Sequence, residues 1–464
     1  RVPEGIKNVP TLSFISLLSE IYYEVGLDKR WEDTREILEK EGIGKTWFNG
    51  NWILIVTDLE LVKDVITKID LYPKVLLDES FPGSLLAQYY GTNVVFSNGD
   101  VMFLILYYSR IANPSFRNLP VHVFVESAMK LLDVMENVDN KPIEVKSLMH
   151  GLTLDVLGKV AFGFDFNNLE DPKNVYVTAY NEVIEELSKP LYLLMSSLEY
   201  IISRTEAIKK IAKLNSLYDE IVEKKMKSMK TGEIDEKINN NSADLLEHMI
   251  HACNDPENPT LTSEELRHDL AIFMLAGHDT SKKNFICLFI DAQKKVRDEI
   301  LRVLGDNLTP SSEQQKELKY MNMVINENLR LYPPVANLPR RFTSQDIKFR
   351  NYIIPKKIPI ILFIYGIHHS SKNWEDPEKF IPERFENEKH DHYAWLGFGG
   401  GNRSCLGINF SLIEQRIMLC VILRKYEVSL PADSIHKDKL RIAPECSGIM
   451  GPHPVPLIFK RRTE

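Results

Sequence analysis

At 464 residues the chain can hold two or three average domains or one large one, and a hydrophobic content of 44% is enough for a deep core. The formal net charge of −8 gives no basic footprint for nucleic acid and sets that class of partner aside. Five cysteines, Cys253, Cys287, Cys405, Cys420 and Cys446, are odd in number and scattered without a C-x-x-C pair. That argues against a disulfide framework or a structural zinc site and for thiols kept in a reducing compartment.

In chain order, RVPEGIKNVPTLSF reads as a proline-punctuated entry segment. Residues 13–40 carry amphipathic helical periodicity that ends at the glycines of EGIGKTWFNG. WILIVTD alternates toward strand, and LELVKDVITK returns to helix period. The apolar run VMFLILYY, 101–108, falls short of the ~20 residues that cross a bilayer, as does every other run. Residues 117–228 are dominated by helical periodicity, including HGLTLDVLGKVAFGFDF. TGEIDEKINNNSAD is polar, charged and free of aromatics, and is read as a mobile surface loop. No internal repeat or sharp domain boundary is visible.

The next helix opens on Thr262-Ser263-Glu264-Glu265, a capping box ahead of an apolar run. Leu266, Leu270, Phe273, Gly277 and Thr280 share one helix face. A glycine inside a helix costs about 1 kcal/mol relative to alanine, so Gly277 points to the close approach of another group. Thr280 can bond back to the carbonyl of Ala276 and loosen the helix, with Asp279 beside it. Alone, these residues read most simply as packing and a solvated face. In NENLRLYPPV, Glu327 and Arg330 stand at i, i+3, which for a surface pair contributes only ~0.2–0.5 kcal/mol. PPVANLPRRF through GIHHSSKNW reads as short strands and turns. His368 and His369, with no third partner at ligand spacing, read as loop histidines. PERF supplies Arg384.

FGGGNRSCLG, 398–407, is a glycine-rich turn that delivers the thiol of Cys405 to the start of a helix. Gly399, Gly400, Gly401 and Gly407 allow tight bending and close approach. A helix N-terminus and Arg403 nearby favour the thiolate, hence a nucleophile or a metal ligand. A lone cysteine is more often a small buried hydrophobe, but the spacing here is richer. Phe398, Gly401, Arg403, Cys405 and Gly407 fill all five fixed places of F-x-x-G-x-R-x-C-x-G. This resembles the haem-thiolate signature of the cytochrome P-450 superfamily. INFSLIEQRIMLCVILRKY follows as a helix apolar on one face, and CSGIMGPHPVPLIF as a hairpin-like turn that reaches toward the pocket.

The resemblance runs nearly the length of the chain and implies a mainly α fold with small β-sheets, a single domain over 1–464 around a buried haem b. Cys405 is then the axial iron ligand, with Phe398, Gly401 and Gly407 shaping its loop, and Arg403 pairs with a haem propionate. Arg341, by its spacing to Asp346, is the second propionate partner. AGHDTS, 276–281, resembles the family's oxygen-activation motif. It assigns Thr280 and Asp279 to proton delivery and places Ala276, Gly277 and Phe273 near the distal pocket. Val335, Ala336, Asn337 and Leu338 are expected on a loop facing the substrate. Glu327, Arg330 and Arg384 join into one buried charge network, where removing one member costs ~3–5 kcal/mol.

The implied reaction takes electrons from an NADPH-cytochrome reductase and inserts one atom of O2 into an apolar C–H bond or double bond of a hydrophobic substrate, the other leaving as water. A thiolate ligand favours the O–O cleavage this needs. Microsomal members work at the endoplasmic reticulum membrane, on its cytoplasmic face, through an N-terminal anchor expected to be absent from this sequence.

Two departures stand out. Where the family usually has a tryptophan and an arginine on a propionate, this chain has Ile105 and Ser109, and Arg110 lies about 100° away on a helix. After SKKNFICLFI several turns of the central helix are missing. Two rival readings follow: a decayed or mis-spliced member with impaired haem binding, and a haem-thiolate isomerase or dehydratase that works without a reductase. Retention of Asp279 and Thr280 argues against the latter.

Overall fold

The computed structural model describes residues 1–13, 26–99, 119–136, 141–229, 233–240, 242–254, 261–281, 292–387, 390–443 and 449–462. Helix α1 (Leu27–Glu41) stops where Gly42 takes a left-handed conformation at φ 72°. Strand β1 (Ile43–Phe48) turns through Asn49 and Gly50 and returns as β2 (Asn51–Val56), pairing Phe48 with Asn51 and Ile43 with Val56. Both turn residues have positive φ, 46° and 83°, as a two-residue hairpin matched to strand twist requires. The Asp58 carboxylate then accepts from the Glu60 and Leu61 amides at 3.1 Å and starts α2 (Leu59–Thr67).

The helical body comprises α3 (Leu85–Tyr90), α4 (Val121–Glu136), α5 (Val145–Phe162), α6 (Val175–Leu187), α7 (Thr205–Met229), α8 (Leu245–Asn254) and α9 (Ser263–Met274). It continues through α10 (Gln293–Leu304) and α11 (Lys319–Leu331). Helix α5 is buried on almost every face, because its sequence is apolar all round rather than along one stripe. Strands β3 (Arg341–Phe342) and β4 (Pro359–Leu362) complete the first sheet in the order β1-β2-β4-β3. β4 runs parallel to β2, with Leu54 opposite Ile360, and antiparallel to β3. Helix α12 (Ile364–His369) leads toward the cysteine loop, and α13 (Ile408–Lys425) follows it. β5 (Tyr426–Ser429) and β6 (Pro456–Arg461) form a second, antiparallel pair joined by residues 143–144.

The fold is thus mainly α with small sheets. One apolar core fills the helical body, and a second lies between the first sheet, α2 and the entry residues Ile6 and Val9.

Three local expectations change, and a fourth is described only in part. Residues 233–239 form a helix, not a loop: Ile234 is fully buried and Lys237 pairs with Glu247 at 3.0 Å, so one apolar anchor and one ion pair outweigh a polar composition. Residues 364–369 are helical rather than turn or strand, which buries both His368 and His369. Helix α13 is buried on all faces from Ile417 to Leu423, packed between α4 and α10, and not on one face alone. Of the helix expected over 13–40, the described part begins at Leu27, and residues 14–25 lie outside the described residues.

Candidate active site

Helix α9 starts at the capping box. The Thr262 hydroxyl accepts from the Glu265 amide at 3.2 Å, and the Glu265 carboxylate accepts from the Thr262 amide at 2.9 Å. The helix then widens into a π-turn over Leu275–Asp279, a distortion that recurs at functional sites. The Thr280 hydroxyl donates to the Ala276 carbonyl at 2.5 Å across this turn. Gly277 packs so tightly on α5 that a Cβ there would lie 2.7 Å from Leu157 Cδ1. Ala276, Gly277, Thr280 and Phe273 line a cavity of about 650 Å³. Asp279 does not line it. Its carboxylate accepts a 2.6 Å bond from the Tyr180 hydroxyl on α6. His278 is fully buried, its Nδ1 2.8 Å from the Thr153 hydroxyl and its Nε2 3.0 Å from His150 Nδ1.

The cysteine loop forms the opposite wall, with Phe398 and Cys405 on the cavity. The Cys405 amide donates to the Phe398 carbonyl at 2.9 Å. Only two of the four loop glycines use left-handed backbone, Gly399 at φ 71° and Gly401 at φ 63°. At Gly401 a Cβ would also meet Ile66 Cγ2 at 2.9 Å. Gly400 and Gly407 have ordinary φ, so four special glycines reduce to two.

The expected activation of the thiol is also corrected. Cys405 is open to the cavity yet lies deep in the protein, and burial raises its pKa; the Gly407 amide opposes that, and Arg403 does not contribute. A cation bound at the sulfur would favour the thiolate in a way that Arg403 does not.

Arg403 instead faces two other cations. Lys74 and Arg341 are 6% and 7% exposed and line the same cavity. Burial and then the charges of Arg403 and Arg341 push the Lys74 ammonium well below its usual pKa. Burial, with Arg403 adding to it, lowers Arg341 to about 10. Arg341 donates to the Tyr72 carbonyl at 3.2 Å and Arg403 to the Ser97 carbonyl at 3.3 Å, while Arg403 Nε has no hydrogen-bond partner among the described residues. Asp70 offsets Arg403 in part, but three clustered cations, two of them lowered in pKa by burial and the charge of Arg403, with an orphaned donor fit a dianionic ligand such as the two propionates of haem b. Lys74 carried no sequence signal, because nothing local to LYPKVLL marks it.

Behind the loop, Arg330 and Glu327 are fully buried and paired through two bonds, Nε to Oε2 at 2.7 Å and Nη2 to Oε1 at 2.9 Å. Arg384 donates to the same carboxylate at 3.1 Å. His368 links this network to the loop: its Nε2 accepts from the Leu396 amide at 2.8 Å, which leaves Nδ1 to donate to the Arg330 carbonyl at 3.0 Å. His369 bridges Glu378 and the Leu331 carbonyl. The two histidines are therefore buried struts, not loop residues. Val335, Asn337 and Leu338 line the cavity, as does Ile449 from the terminal turn, whereas Ala336 is buried away from it. Ile105, Ser109 and Arg110, and the segment following Ser281, lie outside the described residues.

A thiol, a cation cluster and a locally opened helix around one apolar cavity define the haem-thiolate class of oxidoreductase. Residues 26–453 match the sequence profile of the Cytochrome P450 family. The chain belongs to that family, and with it to the haem b-binding monooxygenases. It is 26% identical to mouse (Mus musculus) cytochrome P450 3A11 over 446 residues, 91% of this chain and 85% of that one. Over 334 residues, 69% of this chain and 31% of the other, it is 30% identical to the bifunctional cytochrome P450/NADPH–P450 reductase 2 of Bacillus subtilis (strain 168). The fold is similar to the crystal structure of a cytochrome P450DA mutant heme domain, with a TM-score of 0.79 at 20% identity over 98% of both chains.

Proposed function

We propose that this protein inserts one oxygen atom of O2 into a hydrophobic substrate, with electrons delivered by an NADPH-dependent reductase, at the cytoplasmic face of the endoplasmic reticulum membrane. The observation that carries this reading is the convergence of Cys405, the three cations and Thr280 on one cavity. In this reading Cys405 holds the haem iron, and Lys74, Arg341 and Arg403 hold the propionates. The bound haem supplies the oxygen-activating redox chemistry. The chain's own part is to exclude water, orient the substrate and manage protons. Ile272, Phe273 and Leu275 give the wall its apolar character. Thr280 lines the cavity with its one hydroxyl proton donated to the Ala276 carbonyl, so its oxygen accepts from the reacting side and passes a proton on only by releasing Ala276, and Asp279 stands behind it, off the cavity wall. The Glu327–Arg330–Arg384 network keeps the loop in shape and does no chemistry.

The reductase is supported by the Bacillus relative, whose name joins a cytochrome P450 to an NADPH–P450 reductase in one protein. Contact with a membrane surface is supported by an exposed apolar cluster: Tyr200 and Ile201 are 71% and 82% exposed, with Leu191, Met195 and Ile202 close by in sequence. Among the described residues no helix is long and apolar enough to cross a membrane.

The test is the carbon monoxide difference spectrum of the reduced, haem-loaded protein, with Cys405→Ala beside it. A strongly red-shifted Soret band that the variant lacks supports the reading. A band at the ordinary imidazole position, or an unchanged spectrum in the variant, overturns it.

A further inference from the structure

Besides Lys74, Arg341 and Arg403, two further cations line the cavity: Arg30, 5.1 Å from the ring of Phe363, and Arg340. Arg340 immediately precedes β3, beside Arg341, and neighbouring side chains on extended backbone point to opposite sides. Arg341 turns toward Tyr72 and Arg403. The Arg340 guanidinium instead lies 4.6 Å from the ring of Phe48 on β1 and 5.1 Å from that of Phe81, on the cavity wall beside Thr46 and Ile53 of the hairpin. Burial alone lowers it to about 10, with no contribution from Lys74, Arg341 or Arg403. It therefore stays charged at neutral pH, and its guanidinium lies against the two rings while that of Arg341 donates to the Tyr72 carbonyl. Among the described residues no carboxylate pairs with it. Two aromatic rings attract a cation but accept few of the five N–H donors of a guanidinium. A half-buried, charged, planar donor set on the cavity wall between the rings of Phe48 and Phe81 is matched by a carboxylate, which takes such a fork through two parallel bonds.

We propose that Arg340 is the head-group subsite of the substrate cavity, binding the carboxylate of a long-chain fatty acid whose apolar tail lies along the wall toward Thr280 and Cys405. This rests on the function proposed above and narrows its substrate to amphipathic carboxylates. A substrate held by its head presents its chain, not its polar end, to the reacting side.

The experiment titrates the haem-loaded protein with dodecanoate, hexadecanoate and their methyl esters, reading the Soret shift, for wild type, Arg340→Gln and Arg340→Lys. The acids are expected to bind wild type about tenfold tighter than the esters, as one charge-assisted pair provides. In Arg340→Gln the acid-to-ester ratio falls to about one, and Arg340→Lys retains part of it. Because the ester is an internal control, a merely structural Arg340 weakens both ligands alike, and that result overturns the proposal. So does a wild type that binds neither acid, or an acid preference that survives in Arg340→Gln. Thermal shifts with the same ligands on haem-free protein give the ratio independently of iron. Failure of the carbon monoxide test with an intact acid preference therefore overturns the monooxygenase reading alone, and the reverse outcome overturns the head-group subsite alone.

Discussion

The Tyr180 hydroxyl donates to Asp279 Oδ2 at 2.6 Å, joining α6 to the π-turn of the central helix. Tyr180 is 1% exposed, and burial together with the charge of Asp279 pushes its phenol well above the usual pKa. It is therefore a fixed donor that stays protonated and holds the carboxylate away from the cavity, while the adjoining Thr280 lines that cavity with its hydroxyl donated to the Ala276 carbonyl. Burial raises Tyr90 likewise, with the Asp279 charge as a second cause, so the carboxylate sits among phenols.

Tyr180→Phe keeps the ring and removes the donor. The product formed per NADPH consumed is expected to fall roughly tenfold, the equivalent of about 1.5 kcal/mol for one bond to a charged group. The carbon monoxide spectrum should be unchanged, since no haem contact is touched. Measuring product against NADPH checks this; an unaltered ratio means Asp279 is positioned by other contacts.

The parts of the site legible in the sequence are those whose physics is local. Thr262 and Glu265 cap each other three residues apart, Thr280 bonds Ala276 four residues back, and Glu327 meets Arg330 across one helical turn. The cysteine loop is legible because its residue types recur at fixed spacing. What stayed hidden depends on chain crossings with no spacing rule. Lys74 reaches the cluster only because the segment after α2 runs beside β3, where Val75 donates to the Arg340 carbonyl at 2.8 Å. Tyr180 and Asp279 are 99 residues apart. The helix at 233–239 depends on a pocket for Ile234 that composition cannot show.

Arg330→Ala removes three kinds of contact at once: both bonds to Glu327, the bond to the His368 carbonyl at 2.7 Å, and the stacking on Trp374 at 5.3 Å. Glu327 is fully buried and keeps only Arg384 as a charged partner among the described residues. A loss of ~3–5 kcal/mol is expected, with a lower thermal midpoint and poor haem retention. Arg384→Ala should cost less, about 1–2 kcal/mol, because its other bonds go to the exposed carbonyls of Glu375 and Asp376. Thermal unfolding of the two variants side by side tests the ranking.

Glu414 on α13 is 1% exposed, and neither carboxyl oxygen has a hydrogen-bond partner among the described residues. Burial pushes its pKa up from 4.5 to about 8, and the nearby Ser281 hydroxyl restrains this only in part. Between those two values the unfolded chain has lost the proton and the folded chain keeps it, so the native state binds more protons and stability falls as pH rises across that window. The contribution is at most about 5 kcal/mol. Denaturant unfolding near pH 5 and near pH 8 should show a shallower decline in Glu414→Gln than in wild type. Parallel declines would mean the carboxyl is already ionised in the folded state.

Lys74 offers the most direct check on the cation cluster. Its ammonium is held against the Val95 carbonyl at 2.5 Å, and it sits beside two guanidinium charges that disfavour its protonation. A carboxylate brought into the cluster reverses that balance, since it favours the charged form of Lys74 and satisfies the free Arg403 Nε. Lys74→Met should therefore release haem to apomyoglobin roughly tenfold faster than wild type, the loss of one charge-assisted bond of about 1.5 kcal/mol. Lys74→Arg, which keeps the charge, should release it at close to the wild-type rate. Equal release rates for the methionine variant and wild type would leave Arg341 and Arg403 as the propionate anchors and assign Lys74 to the Val94–Val95 turn alone.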